Sequence, residues 1–267
     1  SQVIARFGLE RKLDLWKRPK TVYKNLQQLT RERDQIVAER VIVKNQLHAE
    51  KVEAEPNSMT LKRISERIKL LNKQENEIKN DISKILKNNA ELKEEIDRMM
   101  TIPGIGELTA VIILAETNGF DLFKNYKQLV SYAGFDVVES QSGARIGKTK
   151  ISKKGNSRIR RALHMPSLVV ITYKEKPFLD LFERTYEKHG VKMKSYVAVQ
   201  KKLLTMIYYL WKKNEMYNPD YQNNIQEKEL EFSSLLAFEK GTKNSLKQVE
   251  AIQGKHPVKN RSMFPLC

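Results

Sequence analysis

Apolar side chains recur at alternating steps of three and four residues through most of the first hundred positions. From Leu61 to Met99 only Glu75 and Asn89 interrupt the seam. Its positions are Leu61, Ile64, Ile68, Leu71, Glu75, Ile78, Ile82, Ile85, Asn89, Leu92, Ile96 and Met99. An upstream seam has two polar positions and comprises Val22, Leu26, Leu29, Arg33, Ile36, Arg40, Val43 and Leu47. This spacing predicts long helices that pack as a coiled coil.

The segment between the two seams predicts a turn. Pro56 would end one helix, and Asn57 or Ser58 would cap the next. Helices of about 30 and 40 residues would be roughly 45 to 60 Å long and antiparallel. We therefore expect a coiled-coil arm over residues 20–99. Because the second helix is the longer, we expect the arm to form a homo-oligomer; a simple spacer is the alternative.

Residues 101–116, TIPGIGELTAVIILAE, place a Gly-Ile-Gly turn before an apolar helix. Gly104 and Gly106 can take positive φ, and without a Cβ they let another backbone approach closely. The amides at the start of the following helix point outward, with the positive end of the helix dipole behind them. The pattern predicts a helix-hairpin-helix motif that binds backbone phosphate, although a turn that merely joins two helices is the alternative.

The rest of the pattern predicts a mainly α-helical domain over residues 100–218. Short strands at FDVVE and KTKIS would flank a polar loop and form a short β-hairpin. Pro166 is expected to kink or shorten the helix that starts near Ser157. Residues 219–267 are polar and weakly patterned, and are expected to form a tail.

Positive charge dominates the chain, which has 49 Lys and Arg against 32 Asp and Glu, a formal net charge of +17. Polyanions are therefore the expected partners. Residues 141–174 contain no acid. The side chains that we expect to bind nucleic acid there are Arg145, Lys148, Lys150, Lys153, Lys154, Arg158, Arg160 and Arg161, in addition to the turn glycines. A solvated basic face is the alternative.

Other features exclude several classes of protein. The single cysteine, Cys267, removes disulfides and cysteine-based zinc sites. The four histidines show no metal-ligand spacing, so we expect no metal site in this chain. No apolar run of about 18 residues could span a membrane, and a cytoplasmic location is the default expectation.

A hydroxyl is the remaining candidate for chemistry in the basic segment. Ser142 precedes Gly143 in a loop that could expose its Oγ. Surrounding arginines could neutralise a phosphodiester and stabilise charge during a displacement. The segment offers no obvious general base, and a loop serine is most often only a turn residue.

The motifs IPGIGELTA, YAGF, QSG, ISKKGNSRIRRAL and KKLLTMIYYLWK follow one another in this order. Over residues 1–218 the chain resembles the C-terminal part of serine-bearing insertion-sequence transposases and Piv-type DNA invertases. The resemblance implies DNA strand cleavage and rejoining, with Ser142 as nucleophile and Ser140 as the fallback. It also implies double-stranded DNA and a structured guide RNA as partners.

The family also carries an N-terminal RuvC-like domain with four acidic residues that bind a divalent metal. Residues 1–19 resemble the segment just after that domain, so we expect the domain to be missing, no cofactor to bind here and the chain alone to be inactive. The alternative function is a non-catalytic DNA- or RNA-binding coiled-coil module in which Ser142 is only a loop residue. A helix-hairpin-helix glycosylase is disfavoured, because the arm replaces the globular helices that it would need.

Overall fold

The computed structural model describes residues 2–11, 18–139, 141–142, 145–147 and 149–220, with the backbone alone at 141, 145 and 146. The fold is mainly α-helical, as the sequence predicts. The helices are α1 (Gln2–Glu10), α2 (Thr21–Val52), α3 (Ser58–Lys87), α4 (Ala90–Met100), α5 (Glu107–Thr117), α6 (Tyr126–Tyr132), α7 (Ser157–Ala162), α8 (His164–Thr172), α9 (Lys176–His189) and α10 (Lys192–Lys213). The strands are β1 (Val137–Val138), β2 (Gln141–Ser142), β3 (Arg145–Ile146) and β4 (Lys150–Ile151).

Helices α2 and α3 pack against each other as an antiparallel pair. Arg33 contacts Glu75 and Arg40 contacts Asn72, so later residues of α2 meet earlier residues of α3. The side chain of Asn57 caps α3 by accepting hydrogen bonds from the backbone amides of residues 59 and 60. The buried apolar seam comprises Leu26, Ile36, Val43, Ile64, Leu71, Ile78, Ile82 and Leu86.

Three of the four polar positions of the two seams, Arg33, Arg40 and Glu75, form one ion cluster. The Glu75 side chain is only 6% exposed; Arg33 Nη2 lies 2.9 Å from its carboxylate and Lys79 Nζ 3.0 Å. Arg40 also donates to it. Burial alone would raise the pKa of Glu75, but hydrogen bonds from Lys79 and Arg40 and the charge of Arg33 lower it to about 2. The charged interruptions of the two seams are therefore paired with each other.

The expected single helix up to Met99 is wrong, because the chain breaks at Asn88 and Asn89. Asn89 Nδ2 donates to the carbonyl of Ile85 at 2.8 Å, and α4 begins one residue later. An asparagine side chain that bonds nearby backbone competes with helix continuation. Helix α3 therefore has 30 residues against 32 in α2. The length difference from which self-association was predicted does not exist.

Helices α5 and α10 form the centre of the remaining helices. Every residue of α5 from Ala110 to Thr117 is buried, and α5 contacts α2, α4 and α7. Helix α10 contacts α4, α6, α8 and α9. The largest fully buried side chains include Phe120, Phe135 and Phe178. The apolar run of α5 is thus buried on all sides.

Pro166 shortens the preceding helix, as predicted. Helix α7 ends at Ala162, and Leu163 lies between it and α8, which starts at His164. Pro166 therefore lies in the first turn of α8, where a missing amide costs no helical hydrogen bond. The predicted strands at FDVVE and KTKIS are also present, because Val137 pairs with Ile151.

The chain comprises two units, residues 1–217 and residues 218–267. Of the second unit the structure describes only residues 218–220, so nearly all of the expected tail lies outside the described residues. None of the helices within the described ranges is long and apolar enough to cross a membrane.

Candidate nucleic-acid interface

The two glycines of the turn between α4 and α5 have different roles. Gly104 has a φ of +82°, which favours glycine. A Cβ on Gly104 would lie 2.9 Å from Val169 Cβ on α8. Gly106 has a φ of −92° and so does not use the positive φ that glycine can take, and a Cβ on it would meet nothing within 4 Å. Gly104 thus allows α8 to approach, while Gly106 leaves the start of α5 accessible.

The start of α5 has no side-chain cap at Gly106. Glu107 lies in the first turn, and Lys93 Nζ is 3.5 Å from its carboxylate. Backbone amides at a helix start favour an anion. A phosphate bound by these amides would lie beside the carboxylate of Glu107, which forms an ion pair with Lys93.

Ser142 lies on strand β2 and is exposed. The backbone register pairs it with Arg145 on β3, so that β2 and β3 form a small antiparallel ladder beyond the β1–β4 ladder. The fallback residue Ser140, the predicted Lys148 and the side chain of Arg145 lie outside the described residues. The nucleophile assignment stays a prediction.

Residues 153–156, which follow β4, are hydrogen-bonded to the end of α6 and to the turn after it. Asn156 N donates to the carbonyl of Tyr132 at 2.7 Å, and Lys153 N donates to that of Gly134 at 3.2 Å. A Cβ on Gly155 would clash with the Tyr132 carbonyl oxygen. The sequence motifs YAGF and KKGNS therefore pack directly against each other.

Three of the four predicted lysines lie among the described residues, and their side chains are exposed to solvent. Lys150, Lys153 and Lys154 are exposed. Within the described part of the chain no carboxylate forms an ion pair with any of them. Their ammonium groups are available to an external anion.

The three predicted arginines whose side chains the structure describes, in contrast, have partners inside the protein. Arg160 Nη1 donates to the carbonyl of Ala133 at 2.7 Å. Arg161 pairs with Asp34 on α2, and Arg158 Nε lies 3.9 Å from the carboxylate of Glu116. Acids from distant parts of the sequence thus neutralise part of the acid-free segment. Any nucleic acid contact by these arginines would compete with the internal partners.

Glu116 is the acid at the centre of this region, and it is not among the site residues expected from the sequence. Its side chain is 0% exposed. Arg31 on α2 binds it with two hydrogen bonds of 2.8 Å, from Nε to Oε1 and from Nη2 to Oε2. Asn156 Nδ2 donates to Oε2 at 2.8 Å, and Gln27 Nε2 lies 3.4 Å from the same oxygen. One carboxylate therefore joins α2, α5 and the segment before α7.

The electrostatics favour an ionised Glu116. Burial alone would raise its pKa, but hydrogen bonds from Arg31 and Asn156 and the charges of Arg31 and Arg158 lower the pKa below its usual value. The sequence signal that could have revealed this residue is a lone acid inside the apolar run AVIILAET. A buried acid in such a run requires partners from elsewhere.

The described residues include no group of three or more His, Cys, Asp or Glu side chains that could hold a metal ion. His164 Nδ1 instead lies 3.2 Å from Gln200 Nε2. This interaction packs α8 against α10.

Comparison with known proteins adds sequence evidence for this region. Residues 96–183, from α4 to α9, match the family model described as Transposase IS116/IS110/IS902 family. This stretch of the chain is therefore similar to the transposase domain of that family. The matched range contains the glycine turn, Ser142, Glu116 and the basic segment, whereas the α2–α3 arm precedes it.

Curated relatives extend the similarity beyond the transposase domain. The pilin gene-inverting proteins of Moraxella bovis and Moraxella lacunata are each 28% identical over 218 residues, which is 81% of this chain and 66% of each relative. The transposase for insertion sequence element IS1111A of Coxiella burnetii is 32% identical over 83 residues, 31% of this chain and 23% of that protein. The chain thus spans just under two thirds of the length of the pilin gene-inverting proteins.

Proposed function

We propose that this chain binds duplex DNA at its basic segment and exchanges DNA strands through Ser142. The observation that best supports this is an exposed Ser142 on a β-ladder, with Arg145 opposite it in the backbone register. Exposed Lys153 and Lys154 follow the returning strand. The names of the relatives, which include a transposase and gene-inverting proteins, agree with a DNA substrate.

The chemistry would be two successive transesterifications. Ser142 Oγ forms a bond to a backbone phosphorus, the bond from phosphorus to one sugar oxygen breaks, and that oxygen receives the proton. The phosphate remains on Ser142 until a hydroxyl of another strand attacks it. This second step restores the serine hydroxyl and joins the new strand, so no oxidant, reductant or nucleotide is consumed.

The partners follow from the same surface. Exposed lysines bind backbone phosphate without reading bases, so the surface fits duplex DNA and also a structured guide RNA.

Self-association through the arm is a further part of the proposal. Val41, Ile42 and Leu70 support it, as exposed apolar side chains on α2 and α3. Sedimentation of the chain at several concentrations tests it.

A divalent metal is a cofactor that the family resemblance implies. The described residues do not fit one, because they contain no cluster of potential ligands. No step above therefore passes through a metal, and a metal requirement of the reaction would have to be met by residues outside those described.

The test compares Ser142→Ala with Ser131→Ala, a matched change at an exposed serine of α6. The substrate is the DNA that flanks the gene of this chain, assayed with the full chain and with the chain joined to the N-terminal portion of the Moraxella bovis relative. Ser142→Ala should abolish strand exchange and keep DNA affinity, since it removes one oxygen and no charge. Recombination near the unmodified rate in Ser142→Ala would contradict the nucleophile assignment.

A non-catalytic nucleic-acid-binding module is the second candidate. The observation that favours it is the engagement of Arg158, Arg160 and Arg161 by partners inside the protein, which leaves them less available to a reacting phosphate. This candidate expects tight binding in both serine variants and no covalent adduct with either. Adduct formation therefore separates the two functions, whereas affinity does not.

A further inference from the structure

We propose that Glu116 is a positioning residue that fixes the base of the Ser142-bearing β-ladders and ties it to the arm. The inference rests on the proposed function, because it gives Glu116 a role in aiming Ser142. Glu116 touches no substrate in this account. It acts through the two chain segments that enter and leave the ladders, which are defined here as residues 132–136 and 152–156.

Both segments converge on Glu116. Tyr132, on the entering segment, donates its hydroxyl to the backbone carbonyl of Glu116 at 3.1 Å. Asn156, on the leaving segment, donates Nδ2 to the Glu116 carboxylate at 2.8 Å. Asn156 Nδ2 also lies 3.4 Å from the Tyr132 hydroxyl. A single residue of α5 therefore contacts the two ends of the element that carries Ser142.

Asn156 uses its other side-chain atom for a different purpose. Its Oδ1 accepts hydrogen bonds from the backbone amides of Arg158 and Ile159, and so caps α7. Its backbone amide donates to Tyr132, as described above. With the amide oxygen, the amide nitrogen and the backbone all engaged, Asn156 is held in one orientation, and the Glu116 carboxylate supplies the acceptor that its Nδ2 requires.

The charge of Glu116 extends this junction to the arm. Arg31, on α2, donates a parallel pair of hydrogen bonds to the same carboxylate and places its positive charge beside it. Loss of the carboxylate would leave the guanidinium groups of Arg31 and Arg158 beside a buried position without a counter-charge. The side chains of Arg31 and Arg158 are 40% and 39% exposed, so water would offset part of this loss. The arm and the base of the ladders are therefore coupled through one residue.

The length of the chain between the base and Ser142 explains why a small change at the base matters for chemistry. Ser142 is six residues beyond Asp136, and a fully extended chain of that length would span at most about 20 Å at 3.3 Å per residue. A tilt of about 5° at the base would then move Ser142 by up to roughly 1.7 Å. Misplacement of a reacting group by about 1 Å can cost on the order of 100-fold in rate. A base held by Glu116 thus limits the error in the position of Ser142.

The test exchanges the hydrogen-bonding groups of Glu116 and Asn156. Glu116→Gln places an amide against the amide of Asn156 and removes the charge. Asn156→Asp places two carboxylates together, while aspartate still caps α7. The double variant Glu116→Gln with Asn156→Asp restores a donor facing an acceptor and keeps one negative charge for Arg31. Arg31→Lys is a milder variant, which keeps the charge and loses the paired hydrogen bonds.

Glu75→Gln is the matched control. Glu75 is also a buried carboxylate bound by two arginines, but it lies between α2 and α3 and has no contact with residues 132–136 or 152–156 among those described. Glu75→Gln therefore removes a buried charge, as Glu116→Gln does, but at a position without the proposed connection to Ser142.

The first readout is hydrogen exchange at the amides of Ser152, Lys153 and Asn156, which bond across the base to Asp136, Gly134 and Tyr132. This readout does not depend on activity. We expect Glu116→Gln and Asn156→Asp to speed exchange about 10-fold or more and the double variant to restore it to within about threefold. Glu75→Gln should speed exchange in the arm alone. Unchanged hydrogen exchange at the three amides in Glu116→Gln would overturn the proposal. If Glu116→Gln does not fold and Arg31→Lys does, unchanged exchange in Arg31→Lys would overturn it.

The second readout is the rate of adduct formation at saturating DNA. Glu116→Gln should lower this rate with DNA affinity unchanged, the double variant should recover it, and Glu75→Gln should match the unmodified chain. Equal rates in Glu116→Gln and Glu75→Gln would overturn the positioning role. If Ser142→Ala still exchanges strands, the proposed function fails, and the hydrogen-exchange result alone then decides whether Glu116 fixes the base.

Discussion

Arg33 on α2 donates a hydrogen bond to Glu75 on α3 at 2.9 Å, which joins two positions that each interrupt an apolar seam. Arg40 and Lys79 bind the same carboxylate. A buried charge with several partners is costly to break and fixes which residues of the two helices face each other. The polar interruptions thus define the register of α2 against α3.

Acid should weaken the arm through Glu75. Its pKa in the folded protein is about 2 against an ordinary value of 4.5. A lowered pKa in the folded state stabilises the protein above the unfolded pKa, and the stabilisation is lost as the pH falls from about 5 towards 2. The shift corresponds to at most about 3 kcal/mol.

The measurement is thermal or denaturant unfolding of the unmodified chain and of Glu75→Gln between pH 7 and pH 2.5. Glu75→Gln should be less stable at pH 7, and the difference between the two proteins should shrink as the pH falls. A difference that stays constant over this range would show that the Glu75 charge does not stabilise the fold.

The two turn glycines should respond differently to substitution. Gly104→Ala introduces a Cβ at positive φ and against Val169, and should lower the free energy of unfolding by about 2 kcal/mol or more. Gly106→Ala has open space and a negative φ, so its cost should be below about 1 kcal/mol. Denaturant titration of both variants measures the difference, and equal costs would contradict the assignment of Gly104 to helix packing.

Gly106 is therefore the position at which DNA binding by the turn can be tested. Gly106→Val should weaken binding to unrelated duplexes about equally, because a branched side chain would block approach to the amides of α5. A folded Gly106→Val variant with unchanged affinity would remove the turn from the DNA-binding surface.

Lys153 and Lys154 should contribute sequence-independent affinity for DNA. Each lysine that contacts a phosphate adds about 0.9 to the slope of log affinity against log salt concentration. Lys153→Gln with Lys154→Gln should therefore lower the slope by about 1.8 if both make such contacts. Lys84→Gln is the control, because Lys84 on α3 pairs with Asp81 at 3.0 Å. Equal slopes in the two variants would contradict the location of the DNA surface.

Local patterning accounts for much of the fold. The seams predict α2 and α3, Pro166 predicts the end of α7, and the strands at FDVVE and KTKIS follow from their residue types. The sequence pattern shows Asn89 only as a polar position in the seam, whereas in the structure its side chain donates to the carbonyl of Ile85 at the break between α3 and α4. Heptad spacing continues across such a break and therefore does not reveal it.

Contacts between distant parts of the chain account for what the sequence could not predict at the site. The acid-free segment reads as uniformly basic, yet Asp34 and Glu116 reach Arg161 and Arg158 from other helices. Gly104 reads as a phosphate-binding glycine, and only the tertiary structure reveals Val169 beside it. Such neighbours depend on packing, which periodicity along the sequence does not encode.

The identity of the residue that carries DNA during strand exchange tests the account most directly. The DNA flanking the gene, with a nick that traps the covalent intermediate, would be incubated with the full chain and with its fusion to the N-terminal portion of the Moraxella bovis relative. Proteolysis and mass spectrometry of the trapped adduct then locate the modified residue. The account predicts a nucleotide on Ser142 Oγ and none in Ser142→Ala. A nucleotide on Ser140 or on any other residue, or strand exchange without a protein adduct, would contradict it.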